Sequence, residues 1–207
     1  EYNIAIGTTA LDAVTTGDRN VAIGYDALTA NTTGGYNTAV GYESMNANTT
    51  GGYNTAVGYG SMKYNTTGER NNAFGVQSMI YNTTGGNNTA SGFQSLKSNT
   101  TGSNNTSVGH QSLNSNTTGA RNTGTGYQAA YTTTTGNDNT SIGYEAGNVI
   151  TTGSQNVTIG SGSDPSAVAA SNQIVIGYGA AGHGDNISVI GNTDMTAWHP
   201  ADDGGVD

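Results

Sequence analysis

The chain has 207 residues, 33 of them glycine and 2 proline, and only 33% is hydrophobic and 9% charged. Its net charge of -9 and five scattered basic residues leave no cationic stripe for nucleic acid or for an acidic membrane surface. The absence of cysteine excludes disulfides and thiolate metal sites, and no run approaches the roughly 18 apolar residues that span a bilayer.

A repeat of 17 residues organises the chain. It starts at Asn3 and returns at Asn20, Asn37, Asn54, Asn71, Asn88, Asn105, Asn122, Asn139 and Asn156, with a glycine four residues after each. The unit reads N-T-A-V-G-Y-x-S-L-x-x-N-T-T-G-x-x. A fixed period of this length predicts stacked turns of a solenoid. Within one unit, a short strand follows the asparagine: Ile4 and Ile6, Val21 and Ile23, and Val157 and Ile159 lie two apart and share one face. The intervening Ala5, Ala22 and Thr158 face the other way. The Ile/Val side is expected to point into a narrow core. Leu11, Leu28, Met45, Met62, Met79, Leu96 and Leu113 are expected to join that core from a second short strand. Gly24, Gly41 and their equivalents mark one corner, and Asn-Thr-Thr-Gly runs such as Asn48–Gly51 mark the other.

The expected fold is therefore all-β, a parallel β-solenoid (β-roll) of about eleven 17-residue coils. The array covers residues 1–191, with 17-residue coils to about 177 and then one of 14. A C-terminal tail, 192–207, leads toward a downstream module that this sequence lacks. Coils about 4.8 Å apart make a body on the order of 50 Å long. The asparagines should stack as a structural ladder that satisfies its own amides. So narrow a coil buries few apolar side chains, so partner chains are expected, most simply in a homotrimer. The small positions Ala39, Ala56, Ala73, Ala90, Ser44, Ser61, Ser78 and Ser95 offer a flat surface for them.

Asn3–Gly7 (N-I-A-I-G) and Asn20–Gly24 (N-V-A-I-G) resemble the head repeats of YadA-like trimeric autotransporter adhesins. That resemblance implies a left-handed, trimeric parallel β-roll. The adhesin repeat is shorter, and Gly177 to Gly191 keeps its spacing of 14. The longer unit looks even more like phage tail-fibre repeats, which are often followed by an autoprocessing chaperone domain that assembles trimers. Asp194–Pro200 looks like the approach to one.

The sequence singles out no active site, so no enzyme, cofactor or metal is expected. His110, His183 and His199 lie apart, and Asp26, Glu43 and Glu145 are separated by non-acidic coils. No phosphate-binding loop occurs. The best candidate ligand surface is the aromatic column Tyr25, Tyr42, Tyr59, Phe93, His110, Tyr127 and Tyr144, broken by Val76. The functional expectation is a structural or adhesive segment of a trimeric fibre, located on a virion tail or at the cell surface. It would act as a rigid shaft and as a possible host-glycan or receptor surface. The alternatives are an ice-binding solenoid and a filament subunit that stacks end to end.

Overall fold

The computed structural model describes residues 2–195; Thr196–Pro200, His199 among them, and the Asp202–Asp203 pair lie outside the described residues. Twelve three-residue strands, from β1 (Ile4–Ile6) to β12 (Ser188–Ile190), form one parallel sheet in chain order. Each strand pairs with the next in register, Ala5 on Ala22 and Ala39 on Ala56, so one repeat is one coil and the fold is an all-β solenoid. The last coil is shorter, and Ile174 pairs with Ser188, which is 14 residues on.

The orientation of the strand is the reverse of the expectation. Ala22, Ala39, Ala56, Ala73 and Ala90 are fully buried, whereas Ile4, Ile6, Ile23 and Val57 are exposed. The expected outer surface of small residues is interior too: Ser44, Ser61, Ser78 and Ser95 have no accessible area. Each serine hydroxyl is satisfied inside, for example Ser44 Oγ donating to the Ala56 carbonyl at 3.0 Å. The reason is space. The coil encloses room for one long side chain and one methyl group per turn. The buried set is accordingly a Leu/Met column (Leu11 to Leu113) against an alanine column.

The second short strand is also absent. Leu28, Met45 and Met62 sit in consecutive turns with φ of 52°, 50° and 50°, the left-handed region. A branched side chain there costs of order 1–3 kcal/mol. Each is held by complete burial and by a coil-to-coil bond, such as Leu28 N–H to the Ser44 carbonyl at 3.0 Å. The corner glycine is mandatory. At Gly24, with φ +135°, a Cβ would stand 2.4 Å from the Gly41 carbonyl oxygen.

Two asparagine ladders run inside the rod. In the first, Asn20, Asn37, Asn54, Asn71, Asn88, Asn105, Asn122 and Asn139 are buried. Asn20 Oδ1 accepts the Asn37 backbone N–H at 2.9 Å, and Asn20 Nδ2 donates to the Gly34 carbonyl at 2.9 Å. In the second, Asn48 Nδ2 donates to Asn31 Oδ1 at 2.8 Å and to the Gly51 carbonyl at 3.0 Å. The first hydroxyl of each Thr-Thr pair bonds to backbone rather than to another threonine, as Thr32 does to the Thr49 carbonyl at 3.1 Å.

The second ladder ends where Thr133 replaces asparagine, and Ile150 occupies the next rung. Among the described residues, the two buried side-chain atoms without a partner, Asn116 Oδ1 and Thr133 Oγ1, lie at that break. Replacing Thr133 with Asn places an amide against Asn116 Oδ1 and removes the orphan hydroxyl. Denaturant unfolding of Thr133→Asn should show a gain of about 1–3 kcal/mol, the usual cost of one unsatisfied buried group.

Candidate functional site

The coil presents three outward surfaces. The first is the sheet face, where the outer strand positions form two columns. One runs Ile6, Ile23, Val40, Val57, Phe74, Ser91, Val108, Thr125, Ile142, Ile159, Ile176 and Ile190; the other is mainly threonine, Thr38, Thr55, Thr89, Thr106, Thr123 and Thr140. Phe74 and Val108 are 45% and 39% exposed, so an apolar stripe lies open to water along the rod.

The second surface follows the corner glycine and carries the aromatic column. Tyr25, Tyr42 and Tyr59 stack with ring centroids 5.1 and 5.3 Å apart. Val76 interrupts them. Phe93, His110, Tyr127 and Tyr144 resume the stack at 5.0, 5.2 and 5.2 Å. His110 thus lies between two rings, Phe93 and Tyr127, as one more aromatic of the series. Because the rings lie face to face along the axis, the column shows solvent its edges and hydroxyls. Its stacked faces are taken by neighbours.

Beside these rings runs a polar column. Gln94 Nε2 donates to Gln77 Oε1 at 2.8 Å, and Gln111 and Gln128 continue the chain at 3.0 and 2.8 Å. Toward the N-terminus, Lys63 Nζ reaches past Gly60 to Glu43 Oε2 at 2.7 Å. That hydrogen bond holds the lysine above its ordinary value. Among the described residues, no three His, Cys, Asp or Glu side chains form a group suited to a metal ion.

The third surface lies between the Thr-Thr-Gly bend and the next strand. It holds residues outside the aromatic column, which the sequence pattern did not single out. Tyr36 and Tyr53 stack at 4.8 Å with planes 6° apart. The Arg19 guanidinium caps Tyr36 at 5.1 Å and that of Arg70 caps Tyr53 at 5.5 Å. Asp18 and Glu69 stand beside the two arginines, at 3.8 and 3.1 Å. The Tyr2 backbone N–H, 2.6 Å away, is the main group holding the Asp18 carboxyl below the usual carboxylate range, with the Arg19 N–H at 2.9 Å assisting. A further stacked pair, Tyr64 and Tyr81 at 5.6 Å, lies on the turn. The signal for both pairs was their spacing of 17, which aromatics share with every other repeat position.

Searches against protein-family models, curated proteins and solved structures return no match for this chain. Its function must be read from these surfaces.

The break at Val76 tests what the aromatic column does. Val76→Tyr supplies the missing ring between Tyr59 and Phe93. If the column is cohesive, two new stacked pairs, each worth about 0.5–1.5 kcal/mol, should raise the thermal midpoint. Differential scanning calorimetry of the variant beside the parent measures this.

Proposed function

We propose that the chain is a rigid shaft segment of a homo-oligomeric fibre, most simply a homotrimer, of the phage tail-fibre or bacterial surface-adhesin kind. One observation carries the reading: a mainly apolar column on the sheet face runs from Ile6 to Ile190, interrupted by Ser91 and Thr125. Three-residue strands give a face about 10 Å wide and about 50 Å long, on the order of 500 Å². The threonine column takes about half of that face, so its regular shape rather than its apolar area supports association. A solenoid face of constant shape suits packing against copies of itself about a common axis. The other two surfaces, the aromatic and glutamine columns and the tyrosine face with its arginine–carboxylate pairs, then form the outside of the shaft. A net charge of -9 keeps that exterior away from nucleic acid.

A second reading, ice binding, draws on the same face. Thr38, Thr55, Thr89, Thr106, Thr123 and Thr140 line up on successive strands, which gives hydroxyls at about 4.8 Å spacing. Asn72 interrupts the row, and Phe74 beside it breaks the flatness of the face. These breaks favour the fibre.

Multi-angle light scattering decides between them. The fibre reading expects a stable oligomer for the parent. It expects a shift toward monomer for Val57→Glu combined with Ile142→Glu, because two buried, unpaired carboxylates oppose association. A monomeric parent that depresses the freezing point of ice would assign the face to ice. A monomeric parent without such activity contradicts both readings.

A further inference from the structure

The third surface contains a built groove. It is a shallow, open depression of about 320 Å³ that runs along the rod axis. Its floor is Gly35 and Gly52, and its walls are the exposed Thr33 and Thr50 on one side and the Tyr36–Tyr53 stack on the other. Asp18 and Glu69 close the ends. They occupy the same repeat position three coils apart, a span of about 14 Å at about 4.8 Å per coil.

Two features are not demanded by the fold. The floor position is glycine at 35, 52 and 86, yet it carries Asp18, Glu69, Ser103, Ala120 and Asn137 in other coils. A side chain is therefore tolerated there and is missing where the groove lies. The wall position is left-handed in each coil from Arg19 to Asn172, and Arg70, Arg121 and Gln155 also occupy it. Farther along it holds Asn87, Asn104, Asp138 and Asn172 with φ between 54° and 62°, residues suited to that region. Tyr36 and Tyr53 sit there at 61° and 60°, where a bulky aromatic is a strained choice. At these two consecutive coils a bare glycine floor stands beside an aromatic wall, whereas the glycine floor at Gly86 stands beside Asn87.

We propose that this groove binds a neutral, linear oligosaccharide laid along the rod axis. Each carboxylate stands beside its own guanidinium, so the groove has no net charge to balance and favours an uncharged ligand. The carboxylates accept hydrogen bonds from sugar hydroxyls, and the Thr33 and Thr50 hydroxyls both donate and accept. The edges of the Tyr pair supply an apolar wall for C–H faces. The Gly35 and Gly52 N–H groups make no hydrogen bond among the described residues of the rod and add two donors to the floor, whereas the N–H groups that follow them are taken. Tyr36 N–H bonds to the Asp18 carbonyl, Tyr53 N–H to that of Gly35 and Arg70 N–H to that of Gly52, at 3.0, 3.0 and 3.1 Å. A larger hollow near Tyr178 and Ile190 is lined, among the described residues, by no carboxylate and no stacked ring pair.

This inference goes beyond the shaft reading and does not depend on it. The test screens the whole chain against immobilised cello-, chito-, malto- and manno-oligosaccharides, with acidic oligosaccharides and extended peptides as the other arms. Titration calorimetry then follows the tightest neutral binder. Two variants borrow residues from other coils and so keep the fold: Tyr36→Asn with Tyr53→Asn, as at 87 and 104, and Gly52→Asn, as at 137. Melting curves confirm folding. Each variant should lower affinity by about tenfold or more. The proposal is overturned if no neutral oligosaccharide binds the parent, if acidic oligosaccharides or peptides bind in preference, or if both folded variants bind within about twofold of it. Scattering on the same samples separates the two claims. A monomer that binds sugar removes the shaft and leaves the groove, and an oligomer that binds none does the opposite.

Discussion

The structure depends on one buried side chain per coil. The asparagine that opens each repeat accepts the backbone N–H of the asparagine one coil on and donates to the glycine carbonyl of the bend beside it. Those backbone groups face the interior, where water cannot reach them and an unmade hydrogen bond is expensive. Only an amide offers an acceptor and a donor at that reach. Identical rungs at a fixed period are therefore a requirement of the hydrogen bonding. Strands of three residues are too short to hold a sheet alone; the ladder beside them ties each strand to the next.

The same narrowness explains the division of the side chains. An interior with room for one Leu or Met and one Ala in most turns sends most Ile and Val of the strands to the outer sheet face, Val175 being an exception. The coil is then stabilised mainly by stacking, which repeats without limit along the axis, and laterally it is thin. This is the physical link between the fold and the proposed function. A body that makes its interior from methyl groups and amides leaves its larger apolar residues for contact with other chains.

Much of this was legible in the sequence, and the failures have particular causes. The period, the strand at each Asn-x-Ala-x-Gly and the corner glycines could be read because each is tied to a unique backbone requirement. Which side of the strand faced inward could not be read. Ile-Ala-Ile alternates equally well in either orientation, and hydrophobicity pointed to the wrong one because it ignores the available volume. The turns at Leu28 and Met45 read as a strand because nothing in a leucine announces a positive φ. The Tyr25 column was visible from its spacing, while its face-to-face stacking is a property of coil separation. The Tyr36–Tyr53 groove escaped notice because its position varies. Asp18-Arg19, Gly35-Tyr36, Gly52-Tyr53 and Glu69-Arg70 look like loop drift until the coils are placed on one another.

The amide ladder carries the rest of the structure, and Asn71→Ala tests it most directly. Asn71 Oδ1 accepts the Asn88 N–H at 2.9 Å, and Asn71 Nδ2 donates to the Gly85 carbonyl at 2.9 Å. Hydrogen exchange resolved to single amides, combined with denaturant unfolding, reads both consequences. If the ladder ties the coils together, the Asn88 amide loses its protection and stability falls by about 1–3 kcal/mol. A variant that unfolds with the parent while its Asn88 amide stays protected would contradict it.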